Sequence, residues 1–193
     1  NGANKPYVVG SPSIAPGVIS VAQTAVPSDK AFPLIVNTPA ALAGVYGNTQ
    51  TVDWAPIGSG VTGDVAFIGR GCPAGSIAAG SPADPILVSP TGKIALIDRG
   101  GCSVSLKVDY AVKAGATGVL IGLVAPGDAV SFSNGGGTDF RPTLVIQQSL
   151  SVAIKAQLAT QTVNASISPA AAIALVGSMA STVNGIYTYP EWN

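Results

Sequence analysis

The chain has 193 residues, of which 47% are hydrophobic and only 9% charged, with nine basic and nine acidic side chains, no histidine and a formal net charge of zero. That length allows one large domain or one domain with extensions, and the apolar share supports a real core. No Lys/Arg cluster exists to displace counterions from nucleic acid or to hold an anionic membrane, and without histidine no Ser-His-Asp triad can be assembled from this chain alone.

No apolar run reaches the length of a membrane span. The N-terminus lacks the basic-then-apolar layout of a signal peptide, so a signal is expected to be absent or removed. A surface built from Ser, Thr, Asn, Gln and Gly is common among secreted bacterial proteins, and an extracellular setting is expected.

In chain order, Gly17–Gln23 is β-branched after a turn signal and predicts a strand, and Pro27–Asp29 reads as a junction. Phe32–Val36 predicts a second short strand. Pro39–Val45 is Ala-rich and fits a helical turn or a loop. Thr51–Gly63 holds Trp54, Pro56 and three glycines and predicts irregular structure. Asp64–Arg70 is a strand, and Pro73–Ser89 is a proline-punctuated loop.

The stretch Lys93–Leu123 organises the rest. Lys93–Asp98 is a buried-strand run. Val104, Val108, Ala111 and Val112 then follow helical spacing, with Ser103 placed to cap the start and Gly115 to end the helix in a left-handed turn. Gly118–Leu123 is again a buried strand. Strand, helix and strand make a βαβ unit with two parallel strands. Its turn has Gly100 and Gly101 but no GxGxxG or GxxxxGK pattern, so a phosphate cradle is not indicated.

Ala125–Asp128 predicts a turn. Ser133–Thr138 is a glycine-rich flexible loop, and only weakly a ligand nest. Pro142–Ile146 is a further buried strand. Leu150, Ile154 and Leu158 share one helical face behind a Ser149 cap. Thr162–Ser168 alternates as a half-buried strand, and Ala171–Gly177 is a last apolar strand. Thr182–Asn193 carries Tyr and Trp and stays unassigned. The fold class is α/β, bordering on α+β.

Two strands finish alike: Ala66-Phe-Ile-Gly-Arg-Gly-Cys72 and Ala95-Leu-Ile-Asp-Arg-Gly-Gly-Cys102. Side by side, they would bring the only two cysteines together. A Cys72–Cys102 disulfide is expected, closing a loop of roughly thirty residues worth about 3.5 kcal/mol in the chain-entropy model; the alternative is two buried free thiols. Asp98, Asp64 and Asp139 are the acid candidates for an enzyme. A strand-end Asp such as Asp98 more often caps a turn or pairs with an Arg, and Arg70 and Arg99 are expected to pair with Asp98 or Asp64. Cys102 at a helix N-terminus would have a lowered thiol pKa, but it lacks a His partner and has Cys72 as its expected mate.

Gly92-Lys-Ile-Ala-Leu-Ile-Asp-Arg-Gly-Gly-Cys-Ser103, the helix end Lys107…Ala111…Ala114-Gly-Ala116, Gly118-Val-Leu-Ile121 and Pro142-Thr-Leu-Val-Ile146 occur in order. Together they resemble a protease-associated (PA) domain over roughly Ser59–Leu158. The resemblance implies an open β-sandwich or barrel core with a βαβ unit and a few helices. It also implies a non-catalytic lid, recognition surface or cargo receptor inside or beside a peptidase, with no cofactor and no metal.

The ends resemble subtilisin-like serine proteases: Asn1-Gly-Ala-Asn-Lys-Pro-Tyr7, Gly10–Ser13 and Pro16–Thr24 match the segment that starts at the oxyanion-hole asparagine. Ala174-Leu-Val-Gly-Ser-Met-Ala-Ser181 matches the place where such a chain resumes. Asn1 would then be the oxyanion donor of the parent enzyme, whose Asp, His and Ser all lie elsewhere. After Ser181 the family's Ser-Arg-Gly-Pro run is replaced by Thr-Val-Asn-Gly-Ile-Tyr. The resulting division is 1–28 flank, 29–170 PA domain, 171–181 flank and 182–193 tail, with Val18–Gln23 beside Ile173–Gly177. The implied partners are the parent peptidase domain and a protein or peptide substrate. The other reading is a free-standing secreted structural or adhesive domain.

Overall fold

A computed structural model describes residues 30–174, 181–183 and 186–188. The chain divides into two compact units, Lys30–Ile173 and the remainder. In the second, Ser181–Val183 and Ile186–Thr188 pair antiparallel, joining the last residue of the expected flank to the tail that the sequence left unassigned. Asn1, Val18–Gln23 and Leu175–Gly177 lie outside the described residues.

The larger unit is a mixed sheet of eight strands with two helices. Its strands are β2 (Leu34–Thr38), β3 (Gly44–Tyr46), β4 (Thr49–Thr51), β5 (Val61–Gly69), β6 (Ile94–Asp98), β7 (Gly118–Gly122), β8 (Thr143–Ile146) and β9 (Asn164–Ile167), in the order β3-β2-β9-β5-β6-β7-β8-β4. β5 through β8 are parallel and the outer strands antiparallel. A separate ribbon joins β1 (Lys30–Ala31) to β10 (Ile173–Ala174), so the chain enters and leaves the unit side by side. Among the described residues, the strand neighbour of Ile173 is β1.

β3 and β4 stand at opposite ends of the strand order, yet only Gly47 and Asn48 separate them in sequence. Three Cα steps reach no more than about 11 Å. The sheet must therefore roll until its two edges nearly meet, which is the barrel-like closure expected.

Strand alternation sorts the core into two layers. Ile94, Leu96, Leu120, Leu144 and Ile146 point to one side, where Leu150 and Ile154 of α2 (Gln148–Leu158) pack with Leu34, Val163, Ala165 and Ile167. Ala95, Ile97, Val119, Ile121 and Val145 point to the other, against Val104, Val108 and Ala111 of α1 (Val104–Lys113). Burial on both faces explains why the parallel strands read as unbroken apolar runs. α2 sits against the sheet where Gly122 leaves no room for a side chain: a Cβ there would overlap Ser151.

Several local expectations shift. β5 starts at Val61 inside the stretch taken as irregular, and β3 and β4 arise from segments with no strand assignment. α2 begins at Gln148 behind Gln147, with Ser149 inside the helix. Ser103 precedes α1, but its hydroxyl meets that of Ser105 at 3.1 Å and makes no cap bond. Gly115 does end α1 with φ +97°, its N–H on Val112 C=O (2.9 Å) and the Ala116 N–H on Ala111 C=O (3.0 Å), a Schellman turn.

Candidate functional site

Only one of the three parallel connections contains a helix. β5–β6 is joined through residues 70–93 and β7–β8 through 123–142, both irregular. Both loops leave from the carboxyl ends of the strands, where ligand sites form in parallel sheets. A long structureless loop needs explicit anchors, and this is where the polar side chains are spent.

The first loop is held by Cys72–Cys102, with S–S 2.07 Å and Cα–Cα 5.9 Å, and by Asp84. Asp84 accepts from Arg70 Nε (2.9 Å), Arg70 Nη2 (2.6 Å) and the Cys72 N–H (2.8 Å). Its backbone C=O accepts from the Tyr110 hydroxyl of α1 at 3.0 Å. The Arg70 hydrogen bond above all, with the Cys72 N–H and nearby Lys107 adding to it against the effect of burial, holds the Asp84 carboxyl down at about 2. The same contact raises the Arg70 guanidinium above its ordinary value.

Beneath this loop lies Lys107, 0% exposed. Its ammonium donates to Arg70 C=O at 2.5 Å and to Cys72 Sγ at 3.3 Å. Desolvation pushes it down to about 8, with Arg70 adding repulsion and Asp84 and Asp98 opposing. Lys107 stands three residues after Val104 and four before Ala111, so helical spacing places it on the buried face and its position was readable. That a lysine would stay there was not.

The second loop is anchored on α1 by Asp109. Asp109 Oδ1 accepts the Thr138 and Asp139 N–H groups, both at 2.9 Å, and Oδ2 takes Lys113 Nζ at 2.8 Å. Burial pushes the carboxyl up, but Lys113 and the two N–H groups outweigh it and hold it at about 2. Ser105 Oγ accepts the Gly135 N–H at 2.9 Å. A Cβ at Gly137, whose φ is +96°, would come within 2.8 Å of Asp109 Cβ. The glycine run is therefore a pinned strap, and the nest it forms already holds an acidic side chain of this protein. At the far end of the loop Trp54 Nε1 donates to Phe132 C=O at 2.7 Å and its ring lies 5.0 Å from that of Phe140.

Asp109→Ala should cost about 2–3 kcal/mol, chiefly by removing the acceptor of two backbone N–H groups that hold the loop. Amide exchange at Thr138 and Asp139 should rise well above that of α1. Since its folded pKa of about 2 lies below the ordinary 3.8, Asp109 stabilises fully above pH 3.8, and that contribution is lost as pH falls from there towards 2.

The remaining candidates are engaged too. Asp98 accepts from Lys155 of α2 at 2.8 Å, not from an arginine. Arg99 lies over the Phe132 ring at 5.2 Å. Asp64 accepts from Asn164 Nδ2 at 2.9 Å. The arginine pairings expected from sequence are thus replaced by Arg70–Asp84 and an aromatic contact, because the residues adjacent in sequence point to opposite faces. Cys102 is bonded to Cys72 and offers no thiolate. Among the described residues no group of three or more His, Cys, Asp or Glu side chains is placed to hold a metal ion, and no helix is long and apolar enough to cross a membrane.

A rolled mixed sheet with one crossover helix, its two long loops pinned by Arg70–Asp84, Cys72–Cys102 and Asp109, defines an α/β module. The family model of the PA domain matches residues 33–154, and the chain belongs to the PA domain family. Among solved structures, it is similar to the aminopeptidase from Aneurinibacillus sp. strain AM-1, at 24% identity and TM-score 0.55, covering 84% of this chain and 37% of that one. It is also similar to BSAP, a zinc aminopeptidase from Bacillus subtilis, at 22% identity and TM-score 0.50, covering 74% of this chain and 31% of that one. The chain thus spans well under half the length of these proteins, and the likeness is one of fold. No curated protein matches it in sequence. Neither solved structure is described as a subtilisin-like protease, so the expectation of such a host rests on the flanking segments alone.

Proposed function

We propose that this chain is an accessory, non-catalytic interaction module of a secreted peptidase, acting on which substrates reach or engage the peptidase domain. The observation that carries the reading is that Asp98, Asp64 and both cysteines are tied up in structural contacts within a PA fold, while Asp139 is held only through its backbone N–H. The groups so tied hold the fold in fixed shape for contact and are not free for proton transfer. The side-by-side entry and exit through β1 and β10 suit a unit inserted into another domain. The resemblance of Asn1–Thr24 and Ala174–Ser181 favours a subtilisin-like host in which Asn1 is the oxyanion donor. A disulfide on the only two cysteines favours an extracellular setting.

The test is deletion of residues 30–173 from the full-length host, with a short linker across the gap. Cleavage of folded or large protein substrates should fall about tenfold relative to that of a small chromogenic peptide, the scale of a lost 1.4 kcal/mol binding contribution. An unchanged ratio would overturn the reading.

A further inference from the structure

The outer edge of β5 is paired with β9 only from Val61–Ile167 to Asp64–Asn164. The ladder ends with the Val65 N–H on Val163 C=O at 2.8 Å, and the next outside bond along β5 is the Leu87 N–H on Ile68 C=O at 3.4 Å. Between them Ala66 and Phe67 border an open cleft of about 550 Å³. The alternation that sends the Val65 N–H outward sends that of Phe67 outward as well. Leu87 and Val88, 60% and 48% exposed, form one wall, and Leu158 at the end of α2 stands in the other. Two of the three charges in the cleft are engaged, Lys155 by Asp98 and Asp64 by Asn164. The third, Lys93, has an ammonium with no partner among the described residues.

We propose that this cleft binds an extended peptide by strand addition to β5, with an apolar side chain between Leu87 and Leu158 and an acidic side chain on Lys93. Strand edge, apolar wall and a cation outside any ion pair each match one part of such a segment. The acidic group is an internal side chain and not a peptide C-terminus. A terminal carboxylate takes several N–H donors, and those of this short edge are needed for pairing.

This inference deepens the recognition role proposed above, and its test is separate from the deletion. The probe is a fluorescein-labelled octapeptide of alternating Val and Thr with a central Leu-Glu pair, both ends blocked, titrated onto the full chain by anisotropy. Saturable binding below 1 mM is expected, weakened about tenfold by Lys93→Glu and little changed by Lys93→Arg. Replacing the probe's Glu by Gln should weaken binding to the wild type but not to Lys93→Glu. Amide exchange at Phe67 should slow on binding. Indifference to Lys93→Glu, unchanged exchange at Phe67, or binding only by a probe with a free C-terminus would overturn the proposal. If the deletion in the host proves silent while the probe still binds, the accessory role fails and the cleft stands; the converse removes the cleft alone.

Discussion

Replacing both cysteines, Cys72→Ser with Cys102→Ser, should lower stability by about 3.5 kcal/mol, with a drop in melting temperature on the order of 10 °C for a unit of this size. The sequence separation is 30 residues, and cross-linking them removes loop-closure entropy from the unfolded chain. Serine is the right replacement because Lys107 donates to Cys72 Sγ, and a hydroxyl keeps an acceptor in place. The loss should be felt mainly through the unfolded state. Asp84, holding Arg70 and the Cys72 N–H, still pins residues 70–84 in the folded protein. Urea unfolding should therefore show a larger m-value in the variant, since its unfolded chain expands and exposes more surface. A loss below about 1 kcal/mol with an unchanged m-value would mean that the cross-link does not restrict the unfolded ensemble.

How far the sequence carried the structure depends on the range of each interaction. β6, α1, β7 and β8 were legible because their signals are local: apolar runs for strands buried on both faces, a 3.6 spacing for the helix, and Gly115 for its end. The Cys72–Cys102 pair was legible because two parallel strands in register finish in the same pattern. β3 and β4 were not. Each has three residues, too few to show a period, and becomes a strand only because the rolled sheet supplies a neighbour. Gln147 displaced Ser149 as the α2 boundary because β8 leads almost directly into the helix, leaving no room for a later start.

The loop anchors show the same limit more sharply. Arg70 finds Asp84 fourteen positions on, and Asp109 finds Thr138 and Asp139 about thirty on, with no spacing rule to announce either. Nearest-neighbour logic favoured Asp98 and Asp64 for the arginines, but Asp98 had a better partner in Lys155, brought by α2 from the opposite layer. What sequence did convey was narrower: without histidine no Ser-His-Asp triad can be assembled from this chain, while the carboxylates stayed open as acid candidates.

Lys107→Met should raise stability near pH 7 by about 1–2 kcal/mol and abolish a rise in stability that the wild type shows between pH 8 and 10.5. In the folded protein the ammonium is pushed from 10.5 down to about 8, first by desolvation. Below pH 8 both folded and unfolded chains carry the proton, and the folded state bears the full cost of the buried charge. Between 8 and 10.5 the folded chain has released it while the unfolded chain still holds it, so the unfolded state binds more protons and stability climbs with pH. Above 10.5 both are neutral and the climb ends, having gained about 3 kcal/mol. Methionine fills the same space without a charge. Its gain at pH 7 is smaller than the full climb, because the Arg70 carbonyl loses its donor. Lys107→Ala should instead destabilise by about 2–4 kcal/mol, adding a cavity under the disulfide to the orphaned carbonyl. Subtracting the wild-type and Lys107→Met stability profiles across pH 7–11 cancels every other alkaline group. A difference that stays constant over that range would show that Lys107 titrates alike in both states, and that the packing around Cys72 and Arg70 leaves it in contact with water.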